Sequence, residues 1–261
     1  MTNWRQFVCW YKYCFLLDLT HIIMKSIVHR SEDRGYANHG WLEANHSFSF
    51  ASWYDPKKIN FGALRVLNDD RIAGGAGFPK HPHNNMEIIT IPLSGKLEHE
   101  DSIGNKSQVA AGEVQVMSAG TGVTHSEFNA LQNEELELFQ IWIFPNKQNV
   151  VPRYDELKLN IIDRENRFQQ ILSPFPEDEG VWIHQDAWMF MSNLYKDKEI
   201  KYTVNMKGNG VFIMVISGKV NINNQFLSSR DAIAIEDASS FTVLSQQDAE
   251  LLLIEVPMVF Q

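Results

Sequence analysis

Gly75-Ala76-Gly77-Phe78-Pro79-Lys80-His81-Pro82-His83 and Gly120-Thr121-Gly122-Val123-Thr124-His125-Ser126-Glu127, whose His125 lies 44 positions after His81, decide both the fold and the chemistry of this chain. Each stretch ends in two metal-ligating residue types spaced two apart. Residues i and i+2 of a β-strand point to the same face, so His81 and His83 can aim two imidazoles at one point, and His125 with Glu127 can repeat the arrangement from a second strand. A lone H-x-H arises by chance, and a histidine in a strand is usually a surface residue or a hydrogen-bonded polar group. Two such pairs, each entered through a glycine-rich turn, point instead to three nitrogens and one carboxylate oxygen around a metal. That donor set suits a borderline divalent ion such as Fe(II), Co(II), Ni(II), Mn(II) or Zn(II). In six-coordination it leaves two positions open for substrate or dioxygen, which implies chemistry rather than scaffolding.

Working outward, short apolar runs alternate with turn signals from Asn60 onward, the pattern of an all-β sandwich or barrel. Predicted strands of the first half are Phe61–Val66, Glu87–Pro92, Lys96–His99, Ser107–Val109, Glu113–Met117, His125–Asn129 and Glu135–Phe144. Pro145 and Pro152 then interrupt the pattern. A second β-rich half has predicted strands at Ala187–Leu194, Glu199–Val204, Gly210–Ser217, Lys219–Ile222, Asp231–Ile235, Phe241–Leu244 and Ala249–Pro257. The halves form a loose internal repeat, because the run from Glu87 through Ser94-Gly95-Lys96 parallels that from Gly210 through Ser217-Gly218-Lys219. The second half has Thr203-Val204-Asn205-Met206 where the first has its histidines, so it is expected to be metal-free. The expected organisation is an N-terminal extension over residues 1–23, a metal-binding domain over 24–145, a linker over 146–180 and a metal-free domain over 181–261.

With 261 residues, 44% of them hydrophobic, the chain can bury a substantial core. Its formal net charge of −9 comes without a basic run, which argues against direct nucleic-acid binding. No apolar run of 18 residues argues for a membrane span. Cys9 and Cys14 are the only cysteines, so no disulfide framework holds the chain from Met24 onward, in keeping with a cytoplasmic protein. Residues 1–23 make a poor signal peptide, and Met24 is a plausible translation start.

Glycine, five residues, H-x-H, three residues and Glu is the first cupin motif, met by Gly75, His81, His83 and Glu87. Gly112, Gly122, His125 and Asn129 meet the second, with Ser118 near where many cupins have proline. Together with His125-Ser126-Glu127, the segment Trp41-Leu42-Glu43-Ala44-Asn45-His46-Ser47-Phe48-Ser49-Phe50 and Leu67-Asn68-Asp69-Asp70, these motifs resemble the pirin family of bicupins, most closely its bacterial members similar to quercetin 2,3-dioxygenases. The resemblance runs from Met24 to the C-terminus. It implies an all-β bicupin of two β-barrel or jelly-roll domains, with one divalent metal on His81, His83, His125 and Glu127. Fe(II) is the first expectation, with Zn, Co, Ni, Mn or Cu as alternatives.

The activity implied by the resemblance is dioxygen-dependent opening of the central ring of a flavonol with release of carbon monoxide. Loss of the 3-hydroxyl proton makes that ring electron-rich enough to react, and the base is Glu127 or, as the substitute, Glu87. A non-enzymatic metal-binding regulator acting through protein partners, or a dioxygenase of another small aromatic metabolite, are the other readings. Phe48, Phe50, Phe78, Phe128, Phe139 and Trp142 are candidate walls for a planar substrate. His99 and Asp101 read as the solvated end of a hairpin, and His39, His46 and His184 as ordinary polar residues. A monomer is expected, since two cupin domains in one chain can pair within it.

Overall fold

The computed structural model describes residues 24–260. The extension over 1–23, with Cys9 and Cys14, lies outside the described residues. Among the described residues, twenty-two strands follow one another almost without helix. The first twelve are β1 (Lys25–His29), β2 (Gly35–Asn38), β3 (Leu42–His46), β4 (Leu64–Ile72), β5 (Gly77–His83), β6 (Glu87–Ser94), β7 (Lys96–Asp101), β8 (Lys106–Ala110), β9 (Glu113–Ser118), β10 (Val123–Asn129), β11 (Leu136–Ile143) and β12 (Arg153–Lys158). The remainder are β13 (Gln169–Ser173), β14 (Val181–Trp182), β15 (Trp188–Leu194), β16 (Glu199–Thr203), β17 (Asn209–Ser217), β18 (Lys219–Ile222), β19 (Gln225–Ser228), β20 (Ala232–Glu236), β21 (Ser240–Ser245) and β22 (Ala249–Pro257).

Each half is a seven-stranded sheet facing a four-stranded one, as the bicupin reading requires. The first half has β12-β9-β6-β11-β4-β3-β2 and β5-β10-β7-β8; the second has β1-β20-β17-β22-β15-β13-β14 and β16-β21-β18-β19. The Ser-Gly-Lys repeats are the points where the chain leaves a large sheet for a small one. Gly95 and Gly218 there take φ of 75° and 86°, a conformation open to glycine at no steric cost.

The domain boundaries differ from expectation at both ends. β1, assigned from sequence to the first domain, pairs with β20 of the second. β12, inside the stretch read as a linker, pairs with β9 of the first, and β13 belongs to the second sheet. The polar sequence Arg-Tyr-Asp-Glu-Leu-Lys concealed β12 because an edge strand has one partner and an exposed side, so its apolar signal is weak.

Alternation assigns the faces of the large sheets. Ile89 and Ile91 of β6 and Phe139, Ile141 and Ile143 of β11 point toward the second domain, where they join Phe212, Met214, Leu252 and Ile254 in one continuous core. Strands buried on both faces contain unbroken apolar runs, as Val211–Ile216 of β17 and Leu251–Ile254 of β22 do. The interiors of the two domains are unlike. In the second, Val211, Ile213, Val215, Leu251 and Leu253 pack with Tyr202, Phe241 and Val243 in a single cluster. In the first, apolar packing splits into two small clusters, around Leu97 and Leu136 and around Ile88 and Met117. The space between holds polar side chains and a cavity.

Candidate metal centre and cavity

β5 and β10 pair antiparallel with His81 opposite His125 and His83 opposite Val123. The strand period keeps His81 and His83 on one face, and His125 meets them from the adjacent strand. Ring centroids are 4.8 Å apart for His81–His83, 4.5 Å for His81–His125 and 4.9 Å for His83–His125. One ring nitrogen from each lies within 4.8 Å of the others. His81 Nδ1 stands 2.8 Å from the Pro79 carbonyl oxygen. A carbonyl only accepts, so Nδ1 of the neutral ring carries the hydrogen and Nε2 keeps its lone pair for the cluster.

His125 supplies the test of whether these residues fit a metal. It is buried, and neither ring nitrogen has a hydrogen-bond partner among the described residues. An unpaired buried polar group costs about 1–3 kcal/mol, and a ligand bond at the lone-pair nitrogen offsets part of that cost where packing offsets none. Burial, reinforced by the neighbouring imidazoles, pushes His125 down to about 2 and His83 to about 4. Both are neutral lone-pair donors at physiological pH, the form that binds a cation. The donor set fits a borderline divalent ion.

Glu127 lies beside His125. A β-bulge shifts the register, so that Glu127 pairs with Phe78. Its Oε1 accepts from Thr90 Oγ1 at 3.2 Å and its Oε2 from Gln140 Nε2 at 2.8 Å. Burial raises its carboxyl to about 7, opposed by hydrogen bonds from Thr90, Gln140 and Gln115. One of its oxygens lies within 4.8 Å of ring nitrogens of both His125 and His99. Glu127 and the three clustered histidines line one cavity.

Sequence reasoning missed what holds Glu127. His46, Asn68, Gln140, Thr90 and Gln115 stand opposite one another on five consecutive strands of the large sheet, forming a polar row across its inner face. His46 Nδ1 donates to Asn68 Oδ1 at 2.9 Å, so this histidine is a buried member of the row. The available signal was one polar residue inside each apolar strand: Thr90 in IITIP, Gln115 in EVQVM, Gln140 in LFQIW. Replacing an outer partner of a metal ligand typically costs 10- to 100-fold in metal affinity or activity. With Glu127 as a ligand, Gln140→Leu is expected to lower metal affinity by about that factor, read by competition with a chelator, while far-UV circular dichroism stays unchanged.

Three readings are corrected by the geometry. His99 and Asp101 are buried rather than solvated, because β7 is an inner strand of its sheet. His99 Nε2 is 3.2 Å from Asp101 Oδ2, and its ring stacks on Tyr154 at 4.8 Å and lies 5.3 Å from His125. Asp101 still closes the turn, accepting from the N–H groups of Ile103 and Asn105. Glu87 is not placed to act as the base. It shares the outward face of β6 with Ile89 and Ile91, and its Oε2 accepts from Ser118 Oγ at 2.6 Å. Of the six aromatic candidates, Phe50, Phe78 and Trp142 line the cavity, whereas Phe48 and Phe139 are in the interdomain core and Phe128 is not part of the lining.

The cavity measures about 590 Å³, within the usual range for small-molecule sites. Ile88, Leu42 and the three aromatics form its walls, with Trp142 edge-on to His83 at 5.0 Å and to Phe50 at 5.4 Å. His39, His46, Asn68 and Asp70 also line it.

Residues 28–143 match the family model described as Pirin, and residues 170–256 match that of the quercetinase C-terminal cupin domain. The chain belongs to the pirin family. Among similar proteins, a quercetin 2,3-dioxygenase of Escherichia coli strain K12 is 44% identical over 230 residues, spanning 88% of this chain and 98% of that one. A pirin-like protein of Caulobacter vibrioides is 41% identical over 222 residues, 85% of this chain and 95% of that one. The solved structure of bacterial pirin YhhW from Escherichia coli in complex with nickel(II) aligns with a TM-score of 0.85 at 42% identity, covering 90% of this chain and all of that one. The two cupin domains of this pirin thus differ in their interiors: one contains the histidine cluster, the other a continuous apolar core.

Proposed function

We propose that this pirin is a metal-dependent dioxygenase that opens the central ring of a flavonol such as quercetin with O2 and releases carbon monoxide. The observation that carries the reading is the convergence of His81, His83 and His125, the last with both nitrogens unpartnered, on an aromatic-walled cavity that also holds Glu127. Relatives named quercetin 2,3-dioxygenase support a dioxygenase-like function. His81, His83, His125 and Glu127 would hold one divalent ion, Fe(II) by first choice. When bound, the ion supplies Lewis acidity that favours the flavonolate over the flavonol, together with a centre for dioxygen chemistry.

The chain's own groups do the rest. Phe50, Phe78, Ile88 and Trp142 give a planar polyphenol apolar walls and exclude water from its reacting ring. Glu127 accepts the 3-hydroxyl proton at Oε1, the oxygen with the longer hydrogen bond. Thr90 Oγ1 accommodates the change, since Gln140 Oε1 at 3.3 Å is a second acceptor for its hydrogen.

The test is anaerobic purification with metal quantification, then quercetin and air, following the flavonol absorbance and carbon monoxide. Loss of flavonol with one equivalent of carbon monoxide, only in metal-loaded protein, is the expected result. Stoichiometric metal without turnover would sink the reading.

A further inference from the structure

Leu67-Asn68-Asp69-Asp70 places two carboxylates side by side on β4, and alternation sends them to opposite faces of the sheet. Asp69 is ion-paired twice, to Arg34 at 2.9 Å and to Arg230 of the second domain at 3.0 Å. Asp70 turns the other way, into the wall of the metal-centre cavity. It is 5% exposed, and its Oδ1 is buried with no hydrogen-bond partner among the described residues. Its strand neighbours, Ala44 and Leu138, offer no polar side chain. Burial, with the charges of Asp69 and Glu127 adding to it, raises the Asp70 carboxyl to about 8.

Native proteins pair nearly all buried polar atoms, and a carboxyl buried without a partner is a cost that calls for an explanation. A packing role does not provide one, since an aliphatic side chain would fill the same space without the penalty. Asp70 lines the cavity that also contains the clustered histidines and Glu127. Asp70 is two residues from Asn68 on the same strand face, and Asn68 stands opposite Gln140, the residue that bonds Glu127. Two residues along a strand are about 7 Å, so Asp70 stands about that far along β4 from the polar row that holds Glu127.

Resting on the function proposed above, we infer that Asp70 is a positioning and specificity residue that hydrogen-bonds a phenolic hydroxyl on a ring remote from the reacting enol. A carboxyl and a phenol are matched in this role, because the phenol both donates and accepts. A site built to bond a hydroxyl discriminates against an analogue without it, since its own buried group is then left unpaired.

The experiment is anaerobic equilibrium binding to metal-loaded protein, using quercetin and 3-hydroxyflavone, which keeps the reacting 3-hydroxyl and 4-carbonyl but lacks every other hydroxyl. Wild type, Asp70→Ala and Asp70→Asn are compared, with circular dichroism and metal content confirming equal folding and loading. Asp70→Ala is expected to weaken quercetin about tenfold, the worth of one such hydrogen bond, and to leave 3-hydroxyflavone within about twofold. Asp70→Asn, which keeps a donor and an acceptor, is expected to recover most of the loss. Equal effects on both flavonols, no effect on quercetin, or no binding of quercetin by wild type would overturn the inference. Turnover is measured separately on wild type in air. Binding that depends on Asp70 without turnover would defeat the dioxygenase reading and leave Asp70 as a recognition residue; turnover with no such dependence would do the reverse.

Discussion

His125→Ala is expected to yield a folded protein that no longer retains its metal. Removing an outer partner of a ligand already costs about 10- to 100-fold in affinity, so removing a central ligand should cost more than a hundredfold, and turnover should fall with occupancy. Metal analysis after gel filtration, alongside far-UV circular dichroism, checks this; full occupancy in the variant would remove His125 from the ligand set. The fold should tolerate the change, because truncation leaves a small void but also removes two buried nitrogens that bond to nothing among the described residues. A pH signature accompanies it in the metal-free state. His125 and His83 have folded-state values lowered to about 2 and about 4, below an ordinary value of 6.5. The unfolded chain therefore takes up protons first, so their contribution is complete above pH 6.5 and is lost as pH falls from there toward those folded values. Glu127 and Glu87, raised to about 7, act in the opposite sense, losing stability as pH rises from about 4.5. The informative quantity is thus wild type minus variant at each pH. Between pH 7 and 4.5, metal-free wild type should lose urea stability relative to metal-free His125→Ala.

Glu127→Gln is expected to lower turnover by about 10²- to 10⁴-fold, the usual contribution of a positioned general base. The substitution is close to isosteric, and the hydrogen-bond pattern admits it. A glutamine amide can present its oxygen to Gln140 Nε2 and its nitrogen to Thr90 Oγ1, in the places the carboxylate oxygens occupy. The loss should fall on kcat more than on KM, because the aromatic walls that bind the ligand are unchanged. Metal content measured in parallel separates the roles of Glu127. Retained metal with lost turnover identifies a base, lost metal identifies a ligand, and wild-type turnover with full metal would remove Glu127 from both.

The fold was legible because its governing signals are local. Strand-length apolar runs, the turn glycines and the Ser-Gly-Lys repeat mark two like β-domains, and most predicted strands end within a few residues of those found. The histidine cluster was legible for the same reason: a period of two is a property of the strand itself, and His81, His83 and His125 obey it. Edge strands were not, since β2 and β12 have little apolar pattern of their own and exist because a neighbour pairs with them.

The sequence by itself determined the class of the fold, the duplication and which side chains could meet a metal, all consequences of spacing along one chain. Only the tertiary structure decided the environment of each group. It buried His99 that a turn motif had placed in solvent, turned Glu87 toward the other domain, and aligned five polar residues from five strands behind Glu127. It also separated Asp69, bound by two arginines, from Asp70, which lines the cavity and whose buried Oδ1 has no partner among the described residues. Burial and cross-strand register depend on partners distant in sequence, so residue spacing alone carries little of that information.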